Sequence, residues 1–575
     1  ELEEKIKFGQ IIEIYFRNKK VKGLVVGLKK SSQEKKPKEI RKIISEDPLI
    51  DKNQFKLIKW LSSFYFASPS TILKTSLPKA TKSKKNSVAV FHDRDIYRPE
   101  INGKSLKISK EFLPKLKKII NIFSHPRRKK FLLLWQDPFE KIALYYFLIK
   151  KTLGKGQMVL ILVPEIDGAY FLARYFSKIT NKILILHSQL KKSEIWNGWQ
   201  KILNNEINII IGTRMAIFSP LKNLGLIIVE DEENDLHRSE QLPYYDVRTI
   251  AWKISKITKT KLIFSSLAPT VETYYFTFRQ GKFSPFNLRE EIKRRVDLVD
   301  MTEELRKGNF SPLSDQLEEK ILETIRKEKK VLLYLKRKGF ATFNFCQDCG
   351  KVFSCPRCDL PLRAHKKEKV YWLICHHCGY SEELPLKCPN CGGVEIKMKG
   401  VAVQKIKEYL SQNEIFKSKI EEEKIIVTTL PFWRDFSERW SKNLELIGII
   451  NADVILNQPN FRSFEKTFQE LVAILNWSNF FKIPLIIQTW SKDNYAISDA
   501  INNDFKDFYQ QELEIRREFS YPPIQRFFKL TIQEKNKERL ERICQEFEKN
   551  IFQIQLKNFK IVPYPIPPRR KRVFE

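Results

Sequence analysis

The order of apolar and polar residues divides the chain into segments of different structural type. In residues 7–28, short runs rich in β-branched side chains flank a polar turn, which predicts a small β-rich unit. Residues 51–67 carry apolar side chains at helical spacing and end before Pro69, so they predict an amphipathic helix. Residues 79–125 are rich in lysine and show no clear period, and we interpret most of them as a linker.

From about residue 130 onward, short apolar runs alternate with longer amphipathic stretches. The runs are FLLLW, MVLILVP, ILILH, INIIIGT, LGLIIVED and KLIFSS, and later KVLLYL, KIIVTT, LELIGIIN and PLIIQTW. Apolar strands that alternate with helices predict parallel sheets covered on both faces. The fold class is therefore α/β with two lobes. We place them at 126–290 and 291–500, with a cysteine-rich insert at 344–393 and an α+β C-terminal region at 501–575.

The charge balance adds a partner class to this picture. The 575 residues include 104 Lys plus Arg against 68 Asp plus Glu, a formal net charge of +36. Such an excess destabilises a compact chain by self-repulsion unless a polyanion neutralises it, and nucleic acid is the first candidate. Compositional drift toward lysine is the alternative. The spread of basic residues along the chain predicts several contact surfaces instead of one tail.

Neither a membrane span nor a signal peptide is predicted. No segment offers ~18 uncharged apolar residues in a row, and no secretory pattern opens the chain. Of the nine cysteines, eight lie between Cys346 and Cys391, which is not the spacing of secreted disulfides. We therefore expect metal ligands in a reducing compartment, the cytoplasm.

The cysteine cluster has the spacing of zinc knuckles. Four Cys-x-x-Cys pairs occupy Cys346 and Cys349, Cys355 and Cys358, Cys375 and Cys378, and Cys388 and Cys391. Each pair points two thiolates at one metal, so two pairs complete one tetrahedral site and four pairs predict two zinc ions. A redox dithiol or an iron–sulfur site is the alternative, and four regular pairs favour zinc. The spacing alone leaves the pairing of the knuckles open.

Several stretches resemble the PriA family of DNA helicases, which recognise abandoned replication forks and reload the replication machinery. They are residues 187–190 with 209–235, 299–314, the cysteine insert, 450–472 and 508–527, in the order of the family. The resemblance implies two RecA-like lobes with a zinc-binding insert in the second lobe. It also implies that 1–78 is a domain that binds the 3′ end of DNA at a fork, followed by a reduced winged-helix region. By the same resemblance, we expect a C-terminal domain that is cut short at Glu575.

The resemblance further implies how the metal and the partners are arranged. One zinc ion would be held by Cys346, Cys349, Cys388 and Cys391, and the other by Cys355, Cys358, Cys375 and Cys378. The implied partners are branched or forked DNA, single-stranded DNA, the primosome and single-stranded-DNA-binding proteins. We expect a monomer.

The nucleotide motif departs from the family. A phosphate cradle has the pattern GxxxxGK[ST], in which glycine backbone approaches the phosphates and a hydroxyl binds magnesium. In residues 135–142 only Lys141 is retained, while Trp135 and Glu140 replace the two glycines and Ile142 replaces the hydroxyl. The implied cofactors ATP and Mg²⁺ therefore lack most of their ligands.

Other motor elements are retained in part. Asp231 and Glu232 match the acids that organise magnesium and the attacking water in the family. Residues 473–477 replace a run that supplies an arginine finger, worth ~10³–10⁵ in rate. By contrast, Gly212, Thr213 and Arg214 match a stretch that touches the DNA backbone in the family, and the N-terminal domain offers Arg17 and Lys19 for DNA binding.

DNA-binding elements are thus kept while ATP-binding elements are lost. We predict a replication restart protein that binds abandoned or branched forks and starts primosome assembly, without helicase activity of its own. Two alternatives stay open: an active ATP-dependent 3′–5′ helicase that uses Lys141, Asp231 and Glu232, and a general zinc-dependent nucleic-acid binder without fork preference.

Overall fold

The structure is a computed structural model of the chain. It describes residues 5–16, 19–29, 39–45, 47–78, 111–290, 296–336, 343–346, 349, 351–356, 361–367, 370–375, 380–399, 403–412, 414–434, 438–458, 460–526, 532, 534 and 536–553. Two compact units are distinguished, Glu1–Leu513 and Glu514–Glu575.

The N-terminal part is a small antiparallel sheet followed by two helices. Its elements are β1 (Ile11–Phe16), β2 (Lys19–Leu24), β3 (Ile40–Ile43), α1 (Lys52–Phe64) and α2 (Pro69–Ser76). The strand order is β2-β1-β3. Asp51 caps α1 in a capping box with Gln54, which satisfies amides that the first helical turn leaves without partners. The apolar face of α1, including Leu57 and Leu61, packs into the same core as the first lobe.

The first lobe is a parallel sheet of seven strands with helices on both faces. Its elements are α3 (Phe112–Ser124), β4 (Lys130–Leu134), α4 (Pro138–Leu153), β5 (Met158–Leu162), α5 (Ile166–Phe176), β6 (Ile183–Leu186), α6 (Lys192–Leu203), β7 (Ile209–Gly212), β8 (Leu224–Val229), α7 (Val247–Thr258), β9 (Lys261–Ser266), α8 (Val271–Tyr274) and β10 (Ser284–Asn287). The strand order is β10-β4-β9-β8-β5-β7-β6. Because both faces are covered, the central strands are apolar at every position, as β5 and β8 are.

The second lobe repeats the architecture with five parallel strands. Its elements are β11 (Val296–Asp300), α9 (Met301–Arg306), α10 (Asp315–Arg326), β12 (Lys330–Tyr334), α11 (Val403–Gln412), α12 (Glu414–Glu421), β18 (Ile425–Thr428), α13 (Glu438–Ser441), β19 (Leu444–Ile449), α14 (Asp453–Leu456), α15 (Ser463–Phe481), β20 (Leu485–Thr489), α16 (Tyr495–Asn502) and α17 (Phe505–Glu518). The strand order is β11-β20-β19-β12-β18. The described residues beyond Glu518 include one more helix, α18 (Lys537–Gln553).

The insert lies between β12 and α11, as the sequence predicts. It holds β13 (Phe343–Cys346), β14 (Arg363–Lys367), β15 (Val370–Ile374), β16 (Ser381–Glu383) and β17 (Ile396–Lys399). Strand β13 pairs with β17, and β14, β15 and β16 form a second small sheet. Its apolar core is small and includes Phe353, Leu362 and Leu373.

These observations confirm the predicted α/β class with two parallel-sheet lobes, an insert in the second and a β-rich N-terminal part. The domain boundaries stay predictions. Most of the proposed linker, 79–110, lies outside the described residues, whereas its end forms α3, which packs on the first sheet through Phe123 and Phe131. Within the described part of the chain, no helix is long and apolar enough to cross a membrane.

Candidate nucleotide cleft and metal centre

The turn between β4 and α4 lies at the carboxyl edge of the first sheet, where doubly wound proteins bind ligands. A carboxylate of the chain itself occupies the start of α4: Asp137 Oδ1 accepts from the amides of Phe139 at 2.7 Å and Glu140 at 3.2 Å. Pro138 is the first helical residue and has no N–H. The amides that would face a phosphate are therefore bound to Asp137.

Lys141, the retained residue of the cradle, is turned into the protein. Its side chain is buried, and its ammonium group pairs with the carboxylate of Glu230. The same Nζ lies 3.7 Å from the centre of the Trp135 ring, a cation–π distance. Trp135 stands at a glycine position of the cradle pattern, so the residue that departs from the pattern also contacts the retained lysine.

Glu230 joins this arrangement from the end of β8, and the sequence motifs predict no role for it. Its second carboxylate oxygen accepts from the Tyr145 hydroxyl, and its backbone carbonyl accepts from His237 Nε2 at 2.7 Å. Burial lowers the pKa of His237 to about 4, so this imidazole is neutral at physiological pH. The only sequence signal was an additional acid directly before the Asp231–Glu232 pair.

The two predicted acids have different surroundings. Glu232 accepts from the Thr270 amide at 2.6 Å and lies 3.7 Å from the Arg248 guanidinium, so it holds two loops together. Asp231 has a left-handed backbone with φ +46°, and burial, reinforced by Glu230, raises its pKa to about 7. Lys141, the cation that opposes this shift, is already paired with Glu230.

Helix α15 closes the cleft from the side of the second lobe. Asn476 Nδ2 donates to the carbonyl of Gln136, in the cradle turn, at 2.9 Å. Trp477 is fully buried, with its ring centre 5.0 Å from that of Phe432. In the stretch where the resemblance leads one to expect arginine, this helix therefore presents an amide and an indole that pack.

A buried ion-pair network joins the lobes beside α15. Arg462 pairs with Glu272 of the first lobe and, at 2.8 Å, with Glu465 of its own helix. Glu465 also accepts from the Val271 amide at 2.9 Å. Lys466 donates to the Glu233 carbonyl at 2.6 Å. These contacts bridge the cleft with protein groups alone.

The predicted DNA-backbone segment ends β7 at the carboxyl edge of the first sheet. A side chain at Gly212 would come within 2.2 Å of the Leu186 carbonyl, so only glycine fits. The Thr213 amide donates to that carbonyl at 3.0 Å. Arg214 is half-buried, and its guanidinium donates to the carbonyl of Arg238.

The N-terminal candidates are described only in part. Arg17 lies outside the described residues. Lys19 is exposed at the start of β2 and pairs in register with Phe16, which is about half exposed, as is Tyr15. An exposed lysine can contact a phosphate of DNA, and exposed aromatic rings beside it can stack on a nucleobase.

Four of the cysteines are brought together at the base of the insert. The Sγ atoms of Cys346, Cys349, Cys388 and Cys391 all lie within 4.8 Å of one another. Two of these separations are 3.7 Å, Cys346 to Cys391, and 3.6 Å, Cys349 to Cys388. Zn–S bonds of ~2.3 Å in a tetrahedron place sulfurs ~3.8 Å apart. The four thiolates therefore fit a zinc ion.

The backbone prepares this site. The Cys346 amide donates to the Lys351 carbonyl at 2.9 Å and the Cys388 amide to the Gly393 carbonyl at 2.7 Å, so each knuckle is closed by its own hydrogen bond. Gly392 has φ +75°, which a side chain would strain. Of the other four cysteines, Cys355 and Cys375 are buried, whereas Cys358 and Cys378 lie outside the described residues.

Two family models match parts of the chain. Residues 1–78 match the model described as the 3′ DNA-binding domain of PriA, and residues 355–382 match the Cys-rich region of PriA DNA helicase, a zinc ribbon. The matched Cys-rich region and the four-thiolate cluster together support zinc as the metal of the insert.

Curated relatives agree over most of the chain. The replication restart protein PriA of Bacillus subtilis is 32% identical over 75% of this chain and 56% of its own length. That of Borreliella burgdorferi is 29% identical over 94% of this chain and 82% of its own length. The chain thus spans about half the length of the first of these relatives. A solved structure of RecG bound to a three-way DNA junction matches 86% of this chain at 11% identity, with a TM-score of 0.41.

The environment of Asp231 predicts a stabilising substitution. Its raised pKa means that the folded chain keeps a proton that the unfolded chain loses, so stability falls as pH rises from about 4 to about 7. Asn carries no charge and tolerates φ +46° better than Asp. We expect Asp231→Asn to raise the melting temperature by about 2–5 °C at pH 8, and by less at pH 5.

Thermal unfolding of both proteins at the two pH values measures this effect. Asp493→Asn is the matched control, because Asp493 is exposed and should give no gain at either pH. An equal gain at pH 5 and pH 8 would show that the charge of Asp231 is not the source.

The network at α15 predicts a large loss of stability. Arg462→Ala leaves the carboxylates of Glu272 and Glu465 in the cleft without their cation, which costs ~3–5 kcal/mol for a buried pair. Arg434→Ala is the matched control: it also removes an interlobe pair, with Glu165, but both side chains are 39–40% exposed, so the loss is below ~1 kcal/mol. Equal destabilisation by the two substitutions, measured by thermal unfolding, contradicts the assignment.

Proposed function

Because the chain belongs to the PriA family of replication restart proteins, we propose that it binds abandoned or branched replication forks and starts primosome assembly and reloading of the replicative helicase, without helicase activity of its own. The observation that carries the second half of this proposal is the occupied cradle, in which Asp137 binds the start of α4 and Glu230 binds Lys141. The first half rests on the family and on surfaces that suit DNA.

DNA binding is supported by the N-terminal domain and by charge. Residues 1–78 match a 3′ DNA-binding domain, and their exposed Lys19, Tyr15 and Phe16 suit a phosphate and a base. The net charge of +36 favours association with a polyanion over association with neutral partners. We propose forked and single-stranded DNA as ligands, with contacts to the backbone at Gly212, Thr213 and Arg214.

The energetic cost of seating ATP argues against a motor. A triphosphate at this turn must displace the Asp137 carboxylate and separate Lys141 from Glu230, and breaking a buried pair costs ~3–5 kcal/mol. A site that would otherwise bind at ~1 μM then falls to ~1 mM, because each ~1.4 kcal/mol is tenfold in affinity. Glu140 lies at the same turn, and burial raises its pKa to about 7. As an acidic residue, it does not offset the loss of affinity for ATP.

The active 3′–5′ helicase remains the rival function, because Asp231 and Glu232 are retained at the end of β8. Its difficulty is that Glu232 is committed to Thr270 and Arg248, and that α15 offers Asn476 and Trp477 in the stretch where an arginine finger is expected. We therefore assign Glu232 a structural role.

For the insert we propose two zinc ions with interleaved ligands. Cys346, Cys349, Cys388 and Cys391 hold one, on the strength of their mutual distances. Cys355, Cys358, Cys375 and Cys378 hold the other, which rests on spacing and on family resemblance. Zinc orders the insert, since a structural ion supplies on the order of 10 kcal/mol or more to a unit with so small an apolar core.

The remaining assignments follow the family. We propose that the chain acts as a monomer in the cytoplasm, with primosomal and single-stranded-DNA-binding proteins as partners. The reduced thiols of the insert suit that compartment.

Fork binding without ATP is the central test. We expect the purified chain to bind a forked DNA with a free 3′ end at least tenfold more tightly than single-stranded or blunt duplex DNA of equal length, at one fixed salt concentration. Millimolar Mg-ATP should change neither the affinity nor the melting temperature, and no phosphate should be released in the presence of DNA. Fluorescence anisotropy and a phosphate-release assay measure these quantities.

The two halves of the proposal fail in different ways. DNA-stimulated ATP hydrolysis that Asp231→Asn abolishes establishes the helicase and overturns the scaffold. Equal affinity for the three DNA forms overturns the restart role and leaves a general zinc-dependent nucleic-acid binder.

Metal content tests the ligand assignment. Elemental analysis should give two zinc ions per chain, and Cys388→Ser and Cys355→Ser should each remove one, because loss of one thiolate opens a tetrahedral site. The double variant should bind none. Cys544→Ser is the control, since this cysteine lies outside the insert, and it should keep both ions. A wild-type content of one or zero contradicts the assignment.

A further inference from the structure

The amino edge of the first sheet carries a row of lysines. These lysines lie where the strands begin or where the preceding helices end. The six residues, which we call the basic edge, are Lys129, Lys130, Lys155, Lys256, Lys261 and Lys282. Lys130 and Lys261 open β4 and β9, which are neighbours in the sheet. This edge is opposite the carboxyl edge that holds the cradle turn and the Gly212–Arg214 segment.

The lysines of the basic edge repel one another. Among the described residues, none of them forms an ion pair with a carboxylate. Burial lowers the pKa of Lys261 to about 8, and the charges of Lys129 and Lys155 lower it further. Burial likewise lowers the pKa of Lys130, with Lys256 and Lys282 acting in the same direction. The edge therefore has a positive potential that no carboxylate among the described residues offsets by an ion pair.

Two simpler explanations do not account for this row. Helix ends attract cations, and Lys261 does donate to the Phe123 and His125 carbonyls at the end of α3. That effect is limited to the last turn, however, and Lys130 and Lys282 are on a strand or shortly before one. A general drift toward lysine would place cations on all sides. The carboxyl edge of the same sheet is acidic instead, with Asp137, Glu165 and Asp231 close to strand ends.

The dimensions of the edge suit a duplex. From β10 to β5 the sheet runs through β4, β9 and β8, so the cations extend over about 19 Å at ~4.8 Å per strand. B-DNA presents one phosphate per ~1.7 Å of axis, which gives ~11 phosphates over that length. Trp252 lies under the ammonium groups of Lys130, at 4.9 Å, and Lys256, at 5.4 Å. Its covered ring is not available to stack an unpaired base, as a single strand would require.

We infer that the basic edge is a second DNA-contact surface of the first lobe, which binds the phosphates of a duplex arm on the side opposite the Gly212–Arg214 segment. This inference rests on the proposed DNA-binding function and adds the surface that holds a duplex. It requires no base recognition, because lysines act on phosphates as point charges.

Neutralising the exposed part of the edge tests the inference. The variant Lys155→Gln, Lys256→Gln and Lys282→Gln in the full chain should bind a 20-base-pair duplex at least tenfold more weakly at ~0.1 M salt, because each lost phosphate contact removes ~0.9 from the slope of log K against log salt. The slope itself should become shallower by about 2 to 3. Affinity for a single strand of the same length should change by less than about threefold.

The matched control removes three exposed lysines from the second lobe, Lys407→Gln, Lys417→Gln and Lys482→Gln, and so has the same net charge. Equal weakening by both variants overturns the inference, because only net charge then matters. The inference is also overturned if the variant of the basic edge binds single-stranded and duplex DNA equally more weakly. A loss of binding to polyglutamate without a loss of binding to duplex DNA overturns it too, and would assign the edge to an acidic protein.

This result is separate from that for the proposed function. If the wild-type chain shows no preference for forks, the restart proposal fails, while the duplex measurement still decides the basic edge. Should the triple variant unfold, as judged by its melting temperature, the pair Lys256→Gln and Lys282→Gln gives the same test with a smaller slope change.

Discussion

A helix that begins at the carboxyl end of a parallel strand attracts an anion, and in this chain that anion is the carboxylate of Asp137. The first amides of α4 bind it at 2.7 and 3.2 Å, and Pro138 needs no acceptor. The same physics holds a phosphate in nucleotide-binding members of this fold class. Because this carboxylate is part of the chain, the positive end of α4 is neutralised by the protein itself. The positions of the neighbouring side chains are consistent with that.

The cation of the cradle follows from the same constraint. A buried lysine needs a partner, and Lys141 has the carboxylate of Glu230 and the face of Trp135. Across the cleft, Arg462 is bound between Glu272 and Glu465, and Asn476 reaches the cradle turn itself. A motor needs its two lobes to open and close with each nucleotide. Here side chains of both lobes make direct contacts across the cleft.

The architecture could be predicted from local sequence patterns, whereas the contacts between residues far apart in sequence could not. The apolar runs located the strands of both lobes, and the spacing of the cysteines indicated the knuckles of which four thiols lie together, because both patterns depend on neighbours in sequence. The Asp-Pro-x-Glu pattern at 137–140 is an N-cap signature that could have indicated the capped α4. The partners of Lys141 and Arg462 are 89 and 190 residues away, and no periodicity reveals which acid a folded chain brings to which base. Arg17, Cys358 and Cys378 lie outside the described residues.

In the first lobe, the two edges of the sheet favour charges of opposite sign, and these charges have different partners at the two edges. Helices of a doubly wound sheet begin at the carboxyl edge and end at the amino edge, so acids are favoured at the first and cations at the second. At the carboxyl edge, the acids have partners within the protein. Asp137 accepts from amides of α4, Glu230 forms an ion pair with Lys141, and Glu232 accepts from the Thr270 amide. At the amino edge, other lysines lie near Lys130 and Lys261, and Lys261 donates to the Phe123 carbonyl. In a chain of net charge +36, this unbalanced edge is where a polyanion would remove the most repulsion between like charges.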